Sequence, residues 1–270
     1  MVAVEALPPM PATASELLLM ATDPDVNITD LSAVIERDPS LASRMISIAN
    51  SAFYAPRQPV SSIKEAIIRV LGLNMVRNIA VGMSLTGGFS TARCPGFDVT
   101  AYWVTALGTA DLASGMARAA NIDGMPDPDT AYLVGLLHNI GELLLVHVFP
   151  HEMNLAFRLF ADAPGSRLAD HENAVLGINH WEAGAFLMRH WELPPIVATT
   201  IEALDKPAQA PRTRPLVPLL DATRSWLQAM LMGRIDTLRL AGVDESYCDY
   251  RTTTFSERFD DLRSLARSLH

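Results

Sequence analysis

The sequence predicts an all-α protein, and three observations carry that prediction. Apolar residues recur at helical spacing almost everywhere, stretches that alternate strictly in the manner of strands are hard to find, and Pro and Gly cut the helical stretches into short pieces. Hydrophobic residues make up 49% of the 270, enough for a real core, so disorder is not the explanation of the composition.

The elements follow in order. LPPMP at 7–11 gives an extended lead because its prolines restrict φ. Thr13 to Met20 then form a first short helix. Asn27 or Thr29 caps a second, LSAVIERD, and Asp38-Pro39 ends it and opens a third, SLASRMISIANSAF, with proline in the first turn. SSIKEAIIRVLG starts on a serine and stops at Gly72. The spacing predicts further helices over 73–86, 98–121, 129–149, 151–163, 166–178, 180–192 and 194–204. Their breaks fall at 87–88, 94–96, 124–128, Pro150, 163–165 and 193–195. A proline-rich joint, KPAQAPRTRP at 206–215, precedes another helical stretch, and the tail TFSERFDDLRSLARSLH is amphipathic. With no internal repeat and tight connections, such helices pack as a compact bundle rather than a coiled coil.

The formal charge is −9, and the acid is concentrated in the middle: residues 91–204 carry 5 Lys and Arg against 13 Asp and Glu. Nucleic-acid binding needs a basic footprint to displace phosphate counterions, and no segment offers one. An acidic middle favours basic partners and repels nucleic acid and anionic lipid. Cys94 and Cys248 stand far apart without CxxC spacing, which points to reduced thiols in a cytoplasmic protein. The start, MVAVEALPPM, lacks the pattern of a secretory signal. The greasiest run, Ala131 to Phe149, is broken by His138, Asn139, Glu142 and His147, so it reads as a buried helix and not a membrane span.

Five signatures then line up in order: LPPMP, IERDPSLASRMISIANSAFY, SSIKEAIIRVLGLNMVRNIA, AYLVGLLHNIGELLL and LGINHWEAGAFLMRHWELPPIVATTI. Together they resemble the HDOD family, helical regulatory modules of bacteria related to the metal-dependent HD phosphohydrolases. The resemblance covers about residues 7 to 207. It implies an N-terminal helical lobe, about 7–90, packed on an HD-like lobe, about 97–207, with 208–270 a C-terminal helical extension. It also implies an output or adaptor role in signal transduction, as in response regulators. The input is then expected from a receiver or other sensory domain outside these 270 residues, or from a separate partner.

An HD hydrolase gathers imidazoles and carboxylates around metal ions, which lower the pKa of bound water. Carried over position by position, the resemblance puts Thr105 where an early His is needed. It puts His138-Asn139 at the His-Asp doublet, His180 at a later His, Leu204 and Asp205 at a His pair, and Asp221 at a terminal Asp. The vestigial set is thus His138, Asn139, His180 and Asp221. An amide oxygen binds hard cations only weakly without charged company. His138 lies one turn from Gly135 and Glu142 on a buried helix, where a neutral imidazole can simply bridge structural partners. His147 and His151 flank Pro150, and no second His completes a HExxH helix. Nucleophile elbows, phosphate loops and dinucleotide fingerprints are absent from the sequence.

The expectation is therefore a non-catalytic pseudoenzyme, with no metal or other cofactor, acting through contacts with signalling proteins and possibly as a homodimer. Phe53, Tyr54 and Arg57 are candidate partner anchors because aromatics beside Arg favour interfaces, although a Phe at the end of a helix is more often a core plug. Met75 and Met83 are candidates as adaptable apolar surface, although core packing is the more common role. The alternatives are a metal-dependent phosphohydrolase acting on a nucleotide or cyclic nucleotide, with His138, His180 and Asp221 as ligands, or a pocket that binds a nucleotide without cleaving it.

Overall fold

The computed structural model describes residues 7–20, 26–211, 213–234 and 237–269. Among these residues every regular element is a helix. The N-terminal group is α1 (Ala12–Met20), α2 (Ile28–Glu36), α3 (Pro39–Ala49), α4 (Ile63–Ala66) and α5 (Leu73–Thr86). Local chemistry explains its punctuation. Asn27 is the cap of α2, accepting from the backbone N–H groups of Thr29 and Asp30, and Asp38 caps α3 with Pro39 in the first turn. Replacing Asn27 by Ala should cost about 1 kcal/mol in urea unfolding, with no change elsewhere. Ser62 caps α4, which does not run on as an ordinary helix. Residues Ile67–Leu71 widen into a π turn, and the Gly72 N–H donates to Ile67 O at 3.0 Å. Gly72 leaves the turn at φ 79°, a conformation that favours glycine.

The second group is α6 (Val99–Ala119), α7 (Pro128–Leu137), α8 (Ile140–Val148), α9 (Pro150–Ala161), α10 (Leu168–Leu176), α11 (His180–His190) and α12 (Pro195–Ala203). The helix predicted over 129–149 is two helices. Asn139, at φ −99° and ψ 11°, leaves the helical conformation, and its side chain donates to Tyr102 O of α6 at 3.2 Å. The helical stretch Pro128–Val148 is long and apolar enough to cross a membrane by length and composition, but 78% of its most apolar window is buried inside the fold. The C-terminal stretch forms α13 (Leu216–Leu231), α14 (Glu245–Glu257) and α15 (Phe259–Arg267), so the amphipathic tail is broken at Arg258.

α6 lies at the centre, flanked by α7, α13, α14 and α15. One continuous apolar core runs through both groups and the C-terminal helices. Close backbone approaches set the geometry where the candidate site lies. A Cβ at Gly135 of α7 would sit 2.8 Å from Ala110 Cα of α6, and one at Gly141 of α8 would sit 1.9 Å from the His180 carbonyl oxygen. Both helices can approach so closely only because glycine carries no side chain. The proline lead is tied to the second group by the Trp191 indole, which donates to Pro8 O at 3.1 Å.

The partner-anchor expectation fails for two residues. Phe53 is 2% exposed, packed edge-on against Phe255 with ring centroids 6.3 Å apart and covered by the Arg258 guanidinium at 4.3 Å. It fills the joint between the N-terminal group and the C-terminal helices. Met83 is 1% exposed, within the core. Helical periodicity alone does not say which apolar face a neighbouring element will cover. Tyr54 is half-buried, its hydroxyl 3.4 Å from that of Tyr132, and Met75 is half-buried against the core, while Arg57 is exposed.

Candidate functional site

His138 and Asn139 form the break between α7 and α8: His138 keeps helical dihedrals, φ −57° and ψ −32°, and Asn139 departs from them. The His138 ring is 1% exposed, and its Nδ1–H donates to Gly135 O at 2.6 Å. The carbonyl can only accept, so Nδ1 carries the proton and Nε2 presents a lone pair. Burial depresses the imidazole pKa to about 3, with the Arg224 guanidinium and His180 pushing the same way against the Gly135 hydrogen bond. His138 is therefore a neutral group across the physiological range. Trp181 stacks on it, ring centroids 6.2 Å apart and planes inclined by 27°.

His180 is the first residue of α11. Asn179 caps that helix, and Asn179 and Glu182 complete a reciprocal capping box. The partner of His180 is Glu172 of α10, whose Oε2 accepts from both His180 N at 2.9 Å and Nδ1 at 2.5 Å. Glu172 is 0% exposed, and its Oε1 has no hydrogen-bond partner among the described residues. Sequence reasoning missed Glu172. It sits in a polar-looking helix, LADHENAVL, eight residues before His180 across the Gly177 turn, where φ is 73°. A carboxylate just ahead of a tight turn and a His was the available signal.

Asp221 lies on α13 and pairs with Arg224 one turn later, at 3.0 Å. Arg224, also missed, lays its guanidinium over the Trp181 ring at 5.1 Å, so the cation acting on His138 is the protein's own. Thr105 spends its hydroxyl on Ala101 O of its own helix, at 2.8 Å. Leu204 is buried, and Asp205 binds Arg167 at 2.7 Å.

Kinship with metal-dependent hydrolases implies a metal, and these residues do not fit one. Among the described residues no three His, Cys, Asp or Glu side chains come together as a metal group. The donors that remain unpaired at the break, His138 Nε2 and Asn139 Oδ1, are both neutral. Asp221 is matched by Arg224, and His180 uses Nδ1 on Glu172, which leaves Nε2 as the one ring nitrogen that could ligate. A divalent ion needs charged oxygens or several convergent imidazoles, and two imidazole nitrogens with one amide oxygen, beside a guanidinium and not gathered into one group, fall short of that. The structure brings His138, Asn139 and His180 into one neighbourhood through Trp181 and Arg224, without turning them into a ligand shell.

Comparison with known proteins gives the family. The family model of the HDOD domain matches residues 7–207. The chain is 26% identical over 217 residues to an uncharacterized protein of Treponema pallidum (strain Nichols), covering 79% of this chain and 40% of that protein. Among solved structures it superposes on a protein of Marinobacter aquaeolei VT8 provisionally named for signal transduction, with TM-score 0.83 and 31% identity, covering 97% of this chain and 60% of that one. The chain thus spans well under two thirds of the length of these relatives. It also superposes on an HDOD domain protein of unknown function from Geobacter sulfurreducens, with TM-score 0.78, 23% identity and 98% and 93% of the two chains covered. A similar match is a protein of Shewanella amazonensis SB2B provisionally named a phosphohydrolase, with TM-score 0.75, 24% identity and coverage of 97% and 96%. With five ordered motifs, an all-helical fold and a family match across residues 7–207, this chain belongs to the HDOD family.

Proposed function

We propose that this chain is a non-catalytic HDOD module of bacterial signal transduction that works through protein contacts. The observation that supports the reading is the weakness of the inherited ligand set: His138 Nε2 and Asn139 Oδ1 stand unpaired but uncharged, and the Asp221 carboxylate is paired with Arg224. Hydrolysis by an HD-type centre requires a polarised water, and a metal supplies that polarisation. Without it, the fold retains a rigid helical body whose usable property is its surface. The signal-transduction naming of the Marinobacter relative points the same way.

Two measurements test the reading together. Purified protein should give no turnover of nucleotide or cyclic-nucleotide phosphoesters with added manganese, and His138→Ala should leave that blank rate unchanged. Capture from a native lysate, against a control with exposed Arg57 and its neighbours substituted, should recover a stoichiometric partner. Turnover lost in His138→Ala, or repeated failure to recover any partner, defeats the proposal.

A further inference from the structure

Away from the inherited site, the joint between the loop after α3 and the C-terminal helices holds a cation that the fold leaves without an anion. Arg258, between α14 and α15, is half-buried, with its guanidinium over the Phe53 ring at 4.3 Å. The ring attracts the charge but offers no acceptor to the N–H groups. Among the described residues the guanidinium makes neither a hydrogen bond nor an ion pair. Its Nε is shut away from solvent without a partner, while the Nη groups are not enclosed in this way and form its open edge.

A second donor packs on the same ring. Tyr54 lies edge-on to Phe53, centroids 5.1 Å apart, and its hydroxyl is 3.4 Å from that of Tyr132 on α7. Tyr132 is buried and has no other side-chain hydrogen-bond partner among the described residues, so the less costly arrangement has its O–H donating to Tyr54. The Tyr54 O–H is then left to donate elsewhere. Burial pushes the Tyr54 phenol up, which keeps it an uncharged donor across the physiological range. Asp111 of α6 acts on both phenols, but its carboxylate is already taken by Arg251 at 2.8 Å. The surplus positive charge at the joint rests on Arg258.

We propose that this joint binds a small oxyanion, the phosphate or carboxylate group of a soluble ligand, between the Arg258 guanidinium and the Tyr54 hydroxyl. Guanidinium N–H groups match the oxygens of either anion, and the phenol adds a further donor from the other side of the joint. Because one donor comes from the loop after α3 and the other from the junction of α14 and α15, the anion ties the N-terminal group to the C-terminal helices. The inference stands on this joint and holds whether or not the inherited site is catalytic.

Urea unfolding of the whole chain at pH 7, with inorganic phosphate or acetate replacing chloride at constant ionic strength, tests the site. At ten times its dissociation constant a bound anion should lower the unfolding equilibrium constant about tenfold, and the response should saturate. A response to phosphate alone assigns a phosphate-bearing ligand, and a response to both assigns a site that also takes carboxylates. Arg258→Gln should abolish the response and Tyr54→Phe should weaken anion binding about tenfold. Each variant is compared with itself with and without anion, so a change in its basal stability does not enter. Arg267→Ala, which removes an exposed arginine from the far end of α15, should leave the response unchanged. In the unmodified chain the Arg258 Nε–H resonance should shift with added anion along the same saturation curve. No response to either anion, a rise that does not saturate, a response that persists in Arg258→Gln, or an unmoved Arg258 resonance overturns the proposal.

Discussion

Gly141→Ala should destabilise the fold by about 3 kcal/mol, a large effect for one added methyl. The reason is the identity of the atoms in the way. At Gly141 the new Cβ would lie 1.9 Å from the His180 carbonyl oxygen and 2.5 Å from Gly184 N, both backbone. A side chain can rotate aside, but the backbone at the start of α11 is held by the Asn179–Glu182 capping box and by the Glu172 bond to His180 N. Relief therefore requires α8 and α11 to separate, which disturbs the packing of two helices whose residues are mostly buried. Gly88→Ala is the control. Its Cβ would meet Pro8 Cβ at 3.7 Å, an ordinary contact, and should change stability by no more than about 0.5 kcal/mol. Equal urea midpoints for the two variants would show that the α8–α11 approach is not the constraint described here.

Phe53→Ala should cost about 3–5 kcal/mol, the range for deleting a buried aromatic. The ring closes a stack in which Tyr54, Phe255 and Trp226 meet edge-on and the Arg258 guanidinium covers the Phe53 face. Its loss leaves a cavity between the loop after α3 and the C-terminal helices, and strips Arg258 of its cation–π partner. Arg57→Ala, three residues from the end of that stack and exposed, should shift stability by less than about 0.5 kcal/mol. The pair separates the two roles that the sequence leaves open. An anchor for another protein would lose binding and keep stability, whereas a plug in the joint loses stability first.

Much of the fold was legible because its punctuation is local. Asn27, Asp38 and Ser62 each accept from the amides of the turn that follows, and Pro39, Pro128, Pro150 and Pro195 stand at helix starts where a missing N–H costs nothing. The break at His138-Asn139 was not legible. Residues 131 to 149 are apolar on both sides of it, and what breaks the helix is a bond from Asn139 to Tyr102, 37 residues away. The π turn at Ile67–Leu71 escaped for a related reason: its residue types suit an ordinary helix, and only the Gly72 bond to Ile67 shows the wider turn.

The site divides in the same way. The His138-Asn139 doublet and His180 could be placed by motif, and His138 bonds a backbone carbonyl one turn away. Glu172 and Arg224 could not be placed, since both belong to helices with ordinary polar faces and gain their meaning only from what they meet in space. Arg224 matters most for the chemistry. A guanidinium fixed against Trp181 puts permanent positive charge beside the imidazole that would have to receive a cation.

The central claim is that the neighbourhood of His138 does not hold a divalent ion, and elemental analysis of the freshly purified chain addresses it most directly. The account predicts iron, manganese and zinc far below one ion per chain, unchanged by His138→Ala. One tightly bound ion per chain that disappears in that variant would contradict it.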